Sequence, residues 1–267
     1  KENKVKSNNL SYLKKIFNFE DKVIVITGAS GYLCSEIARA FVNVKAKVSL
    51  LDINEKKLSQ LSKELKKKDT KIVSFKTDVS KKKELKQSLD FTLKSFGDVD
   101  VLINGAGINA PTSFKEISEK EWDKILSVNL KGTMLACQVY GEYMVNKKKG
   151  SIINFSSVSS GLPLSKAFAY SVSKAGVKNL TQNLAREWAS KGVRVNAIRP
   201  GFFPTEWSKK NFIDKERRNS IIDHTPMKRY GNPQELVGAF FWLASDASSF
   251  VTGAEVTVDG GFTAKTI

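Results

Sequence analysis

Short apolar runs alternate along the chain with longer stretches in which apolar residues recur at helical spacing. The short runs predict buried strands at residues 22–27, 47–51, 72–76, 99–103, 151–155, 193–198 and 255–258. The longer stretches predict helices at residues 35–44, 55–68, 81–96, 119–146, 168–190 and 233–245. Residues 200–232 show neither a short apolar run nor apolar residues at helical spacing, and they are expected to be irregular.

This alternation of strand and helix predicts an α/β fold. Short buried strands joined by helices form βαβ units, whose strands pair in parallel. Right-handed crossovers then give a doubly wound, seven-stranded parallel sheet with its ligand crevice at the carboxyl ends of the strands. A chain of 267 residues, 41% of them hydrophobic, suffices for one large domain. We predict a single domain at residues 21–267, preceded by an N-terminal arm at residues 1–20 with an amphipathic patch.

Composition excludes several classes of protein. The most apolar runs are much shorter than the roughly 20 residues that cross a bilayer, so no membrane helix is expected. No apolar signal segment follows the basic N-terminus. Two distant cysteines, Cys34 and Cys137, fit a reducing compartment, and the single histidine leaves no metal site. We therefore expect a cytoplasmic protein without a metal.

The formal net charge of +17 raises the question of nucleic acid. Most of the positive charge is lysine on predicted exposed helix faces, with acidic residues interleaved. Arginine-rich segments and aromatic stacking patches are missing from the sequence. We expect a solvated surface without a nucleic-acid partner, and the charge also suits an anionic substrate or cofactor.

The sequence Tyr-Ser-Val-Ser-Lys carries the most specific chemistry, because it places Tyr170 and Lys174 one turn apart on a predicted helix. A neighbouring ammonium favours the phenolate, so the pKa of Tyr170 is expected to fall from about 10 towards neutral pH. Such a phenol suits the interconversion of an alcohol and a carbonyl. Taken alone, the pair also fits a core tyrosine and a solvated lysine. Ser157 stands thirteen residues upstream of the tyrosine.

A glycine-containing turn joins the first predicted strand to the first helix. Such a turn brings backbone amides and a helix N-terminus up to a pyrophosphate. Its candidate cofactor contacts are Gly28, Ser30, Gly31, Tyr32 and Leu33.

The second predicted strand ends on an acidic residue, Asp52, followed by the neutral Ile53. A carboxylate at this place can accept hydrogen bonds from both ribose hydroxyls of a dinucleotide, and it repels a 2′-phosphate. We therefore predict NAD as the cofactor rather than NADP. The alternative is that Asp52 caps the following helix.

Polar and small residues also follow the third and fourth strands. Because these strands end at the same edge of the sheet, the residues after them are candidates to border the adenine and ribose of the cofactor. Turn chemistry is the alternative for each of them. The candidates are Asp78, Val79, Asn104, Ala106 and Gly107.

These motifs occur in a characteristic order: Thr-Gly-Ala-Ser-Gly, an acidic strand end, Asp-Val, Asn-Gly-Ala-Gly, Val-Asn-Leu, Ser-Ser-Val, Tyr-Ser-Val-Ser-Lys, Pro-Gly and Val-Asp-Gly-Gly. From about residue 19 to the end, the chain resembles the short-chain dehydrogenase/reductase family. The resemblance implies a Rossmann fold and an NAD-dependent enzyme acting on a CH–OH group.

The resemblance also implies roles for particular residues. Tyr170 would be the general acid and base, and Lys174 would lower its pKa and hold the nicotinamide ribose. Ser157 would hydrogen-bond the substrate oxygen, and Asn129 would hold a water that links Lys174 to solvent. Tyr170 and Lys174 therefore count as cofactor contacts too. So do three residues of the turn after the sixth strand, Pro200, Phe203 and Thr205.

Two positions depart from the family's pattern. The glycine loop usually ends in glycine, where this chain has Cys34, and the usual Asn-Asn-Ala-Gly is Asn-Gly-Ala-Gly here, with Gly105 as the second residue. The side chain of Cys34 must fit where helix and strand pack closely, and Tyr32 can cover the pyrophosphate.

The segment at about residues 202–225 is expected to act as a substrate lid. Its basic residues are compatible with an anionic substrate, and they include Lys209, Lys210, Arg217 and Arg218. Local runs such as Arg199-Pro-Gly-Phe-Phe-Pro look most like sugar-acid and polyol dehydrogenases of the gluconate 5-dehydrogenase or fructuronate reductase type. Alternatives are an oxidoreductase of nine-carbon or surface-polysaccharide sugars and a 3-oxoacyl-[acyl-carrier-protein] reductase. A nucleotide-binding scaffold is the non-enzymatic alternative.

Apolar stripes on the long helices at residues 119–146 and 168–190 indicate a two-fold helix interface. We expect a homo-oligomer, either a tetramer or a dimer, that acts on a small carbonyl or alcohol substrate.

Overall fold

Seven parallel strands form one sheet in the computed structural model, which describes residues 10–67, 69–205, 208 and 213–266. The spatial order of the strands is β3-β2-β1-β4-β5-β6-β7, and every neighbouring pair is parallel. Their bounds are β1 Val23–Thr27, β2 Lys47–Asp52, β3 Lys71–Lys76, β4 Val101–Asn104, β5 Gly150–Phe155, β6 Val193–Pro200 and β7 Glu255–Val258. The predicted doubly wound, seven-stranded fold is therefore confirmed.

Helices connect or flank these strands from β1 onwards. They are α1 Tyr32–Asn43, α2 Glu55–Leu65, α3 Lys82–Phe96, α4 Glu119–Leu126, α5 Gly132–Asn146, α6 Phe168–Trp188, α7 Lys215–His224 and α8 Gln234–Ala244. Local signals set several boundaries. The side chain of Asn54 caps α2 by accepting from the backbone N–H of Lys57, and Gly97 ends α3 with a φ of 80°.

The central strands are hydrophobic throughout because helices cover both faces of the sheet. All residues of β1 are buried, and successive side chains point to opposite faces. Ile24 and Ile26 pack in the core formed with α1, α2 and α8, while Val25 packs in the core formed with α3 and α5. The short β-branched runs in the sequence are the direct consequence of this two-sided burial.

Two predicted elements differ from the structure. The helix expected at residues 119–146 is divided by a π-helical segment, Ser127–Lys131, which contains Asn129. The stretch at residues 200–232, expected to be irregular, contains the helix α7. Only Ile221 of α7 is buried, so the helix leaves no apolar period in the sequence, and the side chain of Asp214 caps it at the N–H of Arg217.

The predicted N-terminal arm is anchored to the domain by Phe19. Residues 10–16 are helical, and Phe19 is buried with its ring centroid 5.2 Å from that of Phe41 and 4.9 Å from that of Phe241. Residues 1–9 of the arm lie outside the described residues. In the part of the chain that is described, we find no helix with both the length and the apolar character needed to span a bilayer.

The strand order reverses between β1 and β4. The chain leaves β1 towards β2 and β3 on one side and returns to β4 on the other. At such a switch point the loops after the two strands diverge and open a crevice at their carboxyl ends. The loops after β1, β4, β5 and β6 all reach this crevice.

Candidate active site

The glycine turn after β1 depends on close approach of two backbones. Gly28 has a φ of 65°, and a Cβ at this position would lie 2.7 Å from the Cα of Ala106 in the turn after β4. Gly31 is the N-cap of α1 and supplies no side-chain cap, so the first amides of α1 are left for another acceptor. This turn fits a dinucleotide phosphate, which such amides bind.

Asp52 holds the glycine turn from the end of β2. Its Oδ2 accepts hydrogen bonds from the backbone N–H of Ser30 at 3.0 Å and from the Ser30 hydroxyl at 2.6 Å. Its Oδ1 accepts from the N–H of Asn54 at 2.9 Å. Asn54 is the residue that caps α2, so the alternative that Asp52 is the helix cap is wrong. A carboxylate has about four acceptor sites, so Asp52 retains acceptor capacity beyond these three bonds.

The two departures from the family's pattern, Cys34 and Gly105, are in contact. A Cβ at Gly105 would lie 2.2 Å from the sulfur of Cys34 and 3.3 Å from the ring of Phe155. The thiol therefore fills space that a side chain at position 105 would need. Burial raises the pKa of Cys34 to about 12, so the thiol is a neutral packing group.

The residues after β3 and β4 have structural partners of their own. The Asp78 carboxylate accepts from the backbone N–H and the hydroxyl of Ser80, at 3.0 and 2.7 Å. The Asn104 side chain is buried and donates to Oδ1 of Asn154 at 2.9 Å. The Asn104 side chain therefore lies in the protein interior, so only the backbone of this turn is left for contacts with a ligand.

The remaining predicted cofactor contacts lie in different surroundings. Gly107 lines the crevice, whereas Ala106 and Val79 pack against the core. Tyr32 is half exposed at the mouth of the crevice, and Ile53 is 61% exposed beside Asp52.

Ser157 follows β5 and has a fixed hydroxyl. Its Oγ accepts from the backbone N–H of Ser159 at 3.2 Å and from the Ser159 hydroxyl at 3.1 Å. Both acceptor positions are thereby taken, which leaves the Ser157 proton to be donated into the crevice. Its present partner there is Tyr170. The adjacent Ser156 donates its hydroxyl to Glu255 instead.

The electrostatics of Tyr170 differ from the sequence expectation. Burial raises the pKa of Tyr170 above its ordinary value, and the hydrogen bond from Ser157 offsets this only in part. The expectation that Lys174 lowers the pKa of Tyr170 is therefore wrong. The Lys174 Nζ lies 5.5 Å from the centroid of the tyrosine ring and donates to the carbonyl of Phe155 at 2.7 Å. Burial lowers the pKa of Lys174 to about 8.

Asn129 sits in the π-helical segment, which explains a poor helix former at this position. Its side chain accepts from the N–H of Ile108 at 2.8 Å, and it donates to the carbonyl of Ile108 at 2.9 Å and to Ser173 at 3.1 Å. It is fully buried and ties the turn after β4 to α6. A Cβ at Gly107 would lie 3.5 Å from the Asn129 Oδ1 and 3.8 Å from the Lys174 Nζ, so the two polar groups share this corner of the site.

A crevice of about 420 Å³ joins the glycine turn to these residues. Pro200, Phe203 and Thr205 form its third wall. The Thr205 hydroxyl accepts from the N–H of Ser208 at 3.0 Å, so it helps to shape this turn.

Among its described residues, the predicted lid contributes one charged group to the crevice. Arg217 of α7 lines the crevice, binds the hydroxyl of Ser165 and donates to the Ser165 carbonyl at 2.8 Å. Its neighbour Arg218 is exposed. Lys209 and Lys210 lie outside the described residues. Partial burial lowers the pKa of Arg217, which still leaves a cation at neutral pH.

Sequence reasoning missed Ser159, Glu255 and Arg199, which support the loop after β5. The serine-rich run Ser-Ser-Val-Ser-Ser is a sequence signal for Ser159 alone, and its residues are too alike to reveal which partners each one takes.

Comparison with known proteins gives consistent matches over nearly the whole chain. A family model described as enoyl-(acyl carrier protein) reductase matches residues 28–263. The uncharacterized oxidoreductase UxuB of Bacillus subtilis is 38% identical over 268 residues, which cover 92% of this chain and 96% of that protein.

Two solved structures match as well. A putative D-mannonate oxidoreductase from Haemophilus influenza, with bound NAD, has a TM-score of 0.88 at 35% identity and covers 93% of this chain and 97% of that one. A gluconate 5-dehydrogenase from Burkholderia cenocepacia, in complex with NADP and tartrate, has a TM-score of 0.89 at 29% identity and covers 94% and 99%.

Proposed function

The chain belongs to the short-chain dehydrogenase/reductase family, and on this premise we propose that it is an NAD(H)-dependent enzyme interconverting a secondary alcohol and a ketone on a sugar acid, a polyol or a related sugar. One observation carries the proposal: Ser157, Tyr170 and Lys174 converge at one end of a crevice whose other end is the glycine turn held by Asp52. The family assignment makes the protein a dehydrogenase, so the scaffold alternative is set aside.

In alcohol oxidation, Tyr170 takes the proton of the substrate hydroxyl, while Ser157 donates to the same oxygen. Because Ser159 occupies the acceptor positions of Ser157, the serine can act only as a donor, which suits an oxygen that gains negative charge. Lys174 is mostly an ammonium at neutral pH, and its Nζ lies 5.5 Å from the centroid of the Tyr170 ring. The nicotinamide supplies hydride transfer when it is bound.

The cofactor preference rests on Asp52. Its carboxylate ends β2 beside the glycine turn, is only 9% exposed, and is followed by the neutral Ile53. A 2′-phosphate at this place would face a fixed negative charge, whereas ribose hydroxyls would find an acceptor. We therefore assign NAD(H) rather than NADP(H).

The substrate class rests on Arg217. It is a cation on the wall of the crevice, and a guanidinium matches the geometry of a carboxylate. The structural relatives named as a D-mannonate oxidoreductase and a gluconate 5-dehydrogenase support an acidic sugar.

The test is a substrate panel with NAD⁺, comparing D-gluconate and D-mannonate with the uncharged alditols of the same carbon chains. We expect turnover of at least one sugar acid, and we expect Arg217→Gln to raise its KM by about tenfold, the loss of one charge-assisted hydrogen bond. Arg218→Gln is the matched control and should leave KM unchanged. Equal turnover of acids and alditols, insensitive to Arg217→Gln, would contradict the acidic substrate.

Reduction of a 3-oxoacyl group on an acyl carrier protein is the second candidate. The description of the matching family model and the net charge of +17, which suits an acidic carrier protein, favour it. NADPH-dependent reduction of acetoacetyl-coenzyme A, faster than any sugar reaction, would support this candidate and overturn the first.

We also propose that the protein is a homo-oligomer. Phe114, Phe168 and Val172 are exposed, with the two phenylalanine rings 5.2 Å apart, and they form an apolar patch of the kind that subunit contacts cover. Light scattering after size-exclusion chromatography should give the mass of a dimer or tetramer, and a monomer would contradict the proposal.

A further inference from the structure

A carboxylate on β7 lies behind the loop that carries Ser157. Glu255 has a side chain only 11% exposed, although nothing in its position on the last strand predicts contact with this loop. Its main-chain neighbour in the sheet is Ala197 of β6. The side chain reaches past β6 to the loop after β5, which is residues 156–160.

Glu255 binds this loop on both sides of Ser157. Its Oε1 accepts from the hydroxyl of Ser156 at 2.5 Å and from that of Ser160 at 3.2 Å. The loop bonds internally as well, since the N–H of Ser160 donates to the carbonyl of Ser157 at 2.9 Å. One oxygen atom therefore fixes the two ends of the segment whose middle holds the Ser157 hydroxyl.

Two cations hold the other oxygen of Glu255 in place. Its Oε2 lies 2.7 Å from the Nη2 of Arg199 and 3.6 Å from the Nζ of Lys178. The same Nη2 of Arg199 donates to the Ser160 hydroxyl at 3.4 Å. The Arg199 side chain is 17% exposed, so the ion pair is shielded from solvent and from salt. The two cations thus orient the carboxylate through Oε2, while Oε1 binds the loop.

We propose that Glu255 is a positioning residue for Ser157, and that Arg199 orients Glu255 for this task. The proposal rests on the proposed function, in which Ser157 donates to the substrate oxygen. A donor must lie within a few tenths of an ångström of its place to stabilise a developing charge, and a displacement of about 1 Å can cost a hundredfold in rate. Four of the five residues in the loop are serines, which have little bulk to fix their own position, so the carboxylate supplies the rigidity.

The test compares Glu255→Gln with Glu235→Gln. Glu235 also pairs with an arginine, Arg229, at 2.7 Å, but the pair is exposed and does not line the crevice. With NAD⁺ and the fastest sugar acid or alditol of the panel, Glu255→Gln should lower kcat by about tenfold or more, with little change in the KM for NAD⁺. Glu235→Gln should keep the parental kcat.

A double-mutant cycle separates positioning from general loss of structure. In a Ser157→Ala background, Glu255→Gln should lower kcat by no more than twofold, because the group that it positions is gone. An equal loss in both backgrounds, or an unchanged kcat in the single variant, would overturn the proposal.

A second variant covers the case in which Glu255→Gln does not fold. Ser156→Ala removes one of the two hydroxyls that Glu255 binds, and it should lower kcat severalfold in the parent and not in the Ser157→Ala background. A loss that is the same in both backgrounds would again overturn the role of Glu255. If Ser157→Ala itself retains the parental kcat, the failure lies with the proposed function and not with the positioning by Glu255.

Discussion

The two halves of the crevice are built by different means. In the nucleotide half, formed by the loops after β1 and β4, close approach of backbones decides the shape, as at Gly28 and Gly105, where a Cβ would collide with a neighbour. In the chemical half, formed by the loops after β5 and β6 and by α6, hydrogen bonds decide it, as at Ser157 and at Glu255 behind its loop. Substitutions that change side-chain volume should therefore disturb the nucleotide half most. Substitutions that remove a hydrogen-bond donor, an acceptor or a charge should disturb the chemical half most.

This difference explains how the family's pattern can change in the nucleotide half. Cys34 adds a side chain where the family usually has glycine, and Gly105 removes one at the position against which the thiol packs. The two departures offset each other in volume. A similar exchange in the chemical half would leave a buried polar group without its partner, which costs about 1 to 3 kcal/mol.

The largest expected effect is in the chemical half. Tyr170→Phe should lower turnover by about a thousandfold, because the phenol is the proposed proton carrier. The dissociation constant for NADH should change by less than about twofold, since the ring remains. Tyr143→Phe is the matched control, because the Tyr143 hydroxyl donates to Asp98, away from the crevice. A joint loss of NADH binding and turnover in Tyr170→Phe would make the phenol structural.

A smaller effect is expected from a volume change in the nucleotide half. Gly105→Ala should weaken NADH binding by about tenfold, because its Cβ would lie 2.2 Å from the sulfur of Cys34 and overpacking costs about 1 to 3 kcal/mol. Adding Cys34→Gly should recover part of the affinity, because the new Cβ still lies 3.0 Å from the backbone carbonyl oxygen of Thr27. The control is Gly238→Ala, whose Cβ would meet nothing within 4 Å. Fluorescence titration measures all three, and failure of the second substitution to rescue the first would contradict the exchange of volume.

The smallest effect is on stability. Burial lowers the pKa of Lys174 from 10.5 to about 8, so the folded protein binds fewer protons than the unfolded chain between these values. Because of Lys174, the free energy of unfolding therefore rises with pH between about 8 and 10.5. Below pH 8, the buried charge of Lys174 destabilises the folded protein by its full amount. Lys174→Met should stabilise the protein at pH 7 by on the order of 1 kcal/mol, after loss of the bond to Phe155 is subtracted.

Urea unfolding at several pH values checks this prediction. The stabilisation should shrink as the pH rises from 8 towards 10.5. Lys191→Met, at an exposed lysine paired with Glu187, should show no such trend. A gain that is independent of pH would mean that packing, and not charge burial, is responsible.

The sequence predicts the fold better than it predicts the electrostatics. Strands buried on both faces have strong β-branched runs, so β1 and its neighbours are found within one or two residues of their predicted ends. α7 was missed because it buries one residue and so has no apolar period. The π-helical segment around Asn129 was missed because its cause is a set of contacts with Ile108 and Ser173, which are distant in sequence.

The pKa of Tyr170 shows that the sequence also predicts the electrostatics of the candidate active site poorly. Spacing alone places Lys174 on the same helix face, but it does not reveal that burial acts on both groups. Nor does it reveal that Glu255, far along the chain, binds the loop of Ser157.

The central claim is that Asp52 and the glycine turn make this crevice an NAD(H) site in which Tyr170 acts. Titration of the protein with NADH and with NADPH, followed by nicotinamide fluorescence, tests it most directly. We predict that NADH binds at least about tenfold more tightly, and that Asp52→Asn reduces this ratio by weakening NADH and relieving the repulsion of NADPH. Tighter binding of NADPH, or no binding of either nucleotide at millimolar concentration, would contradict the account.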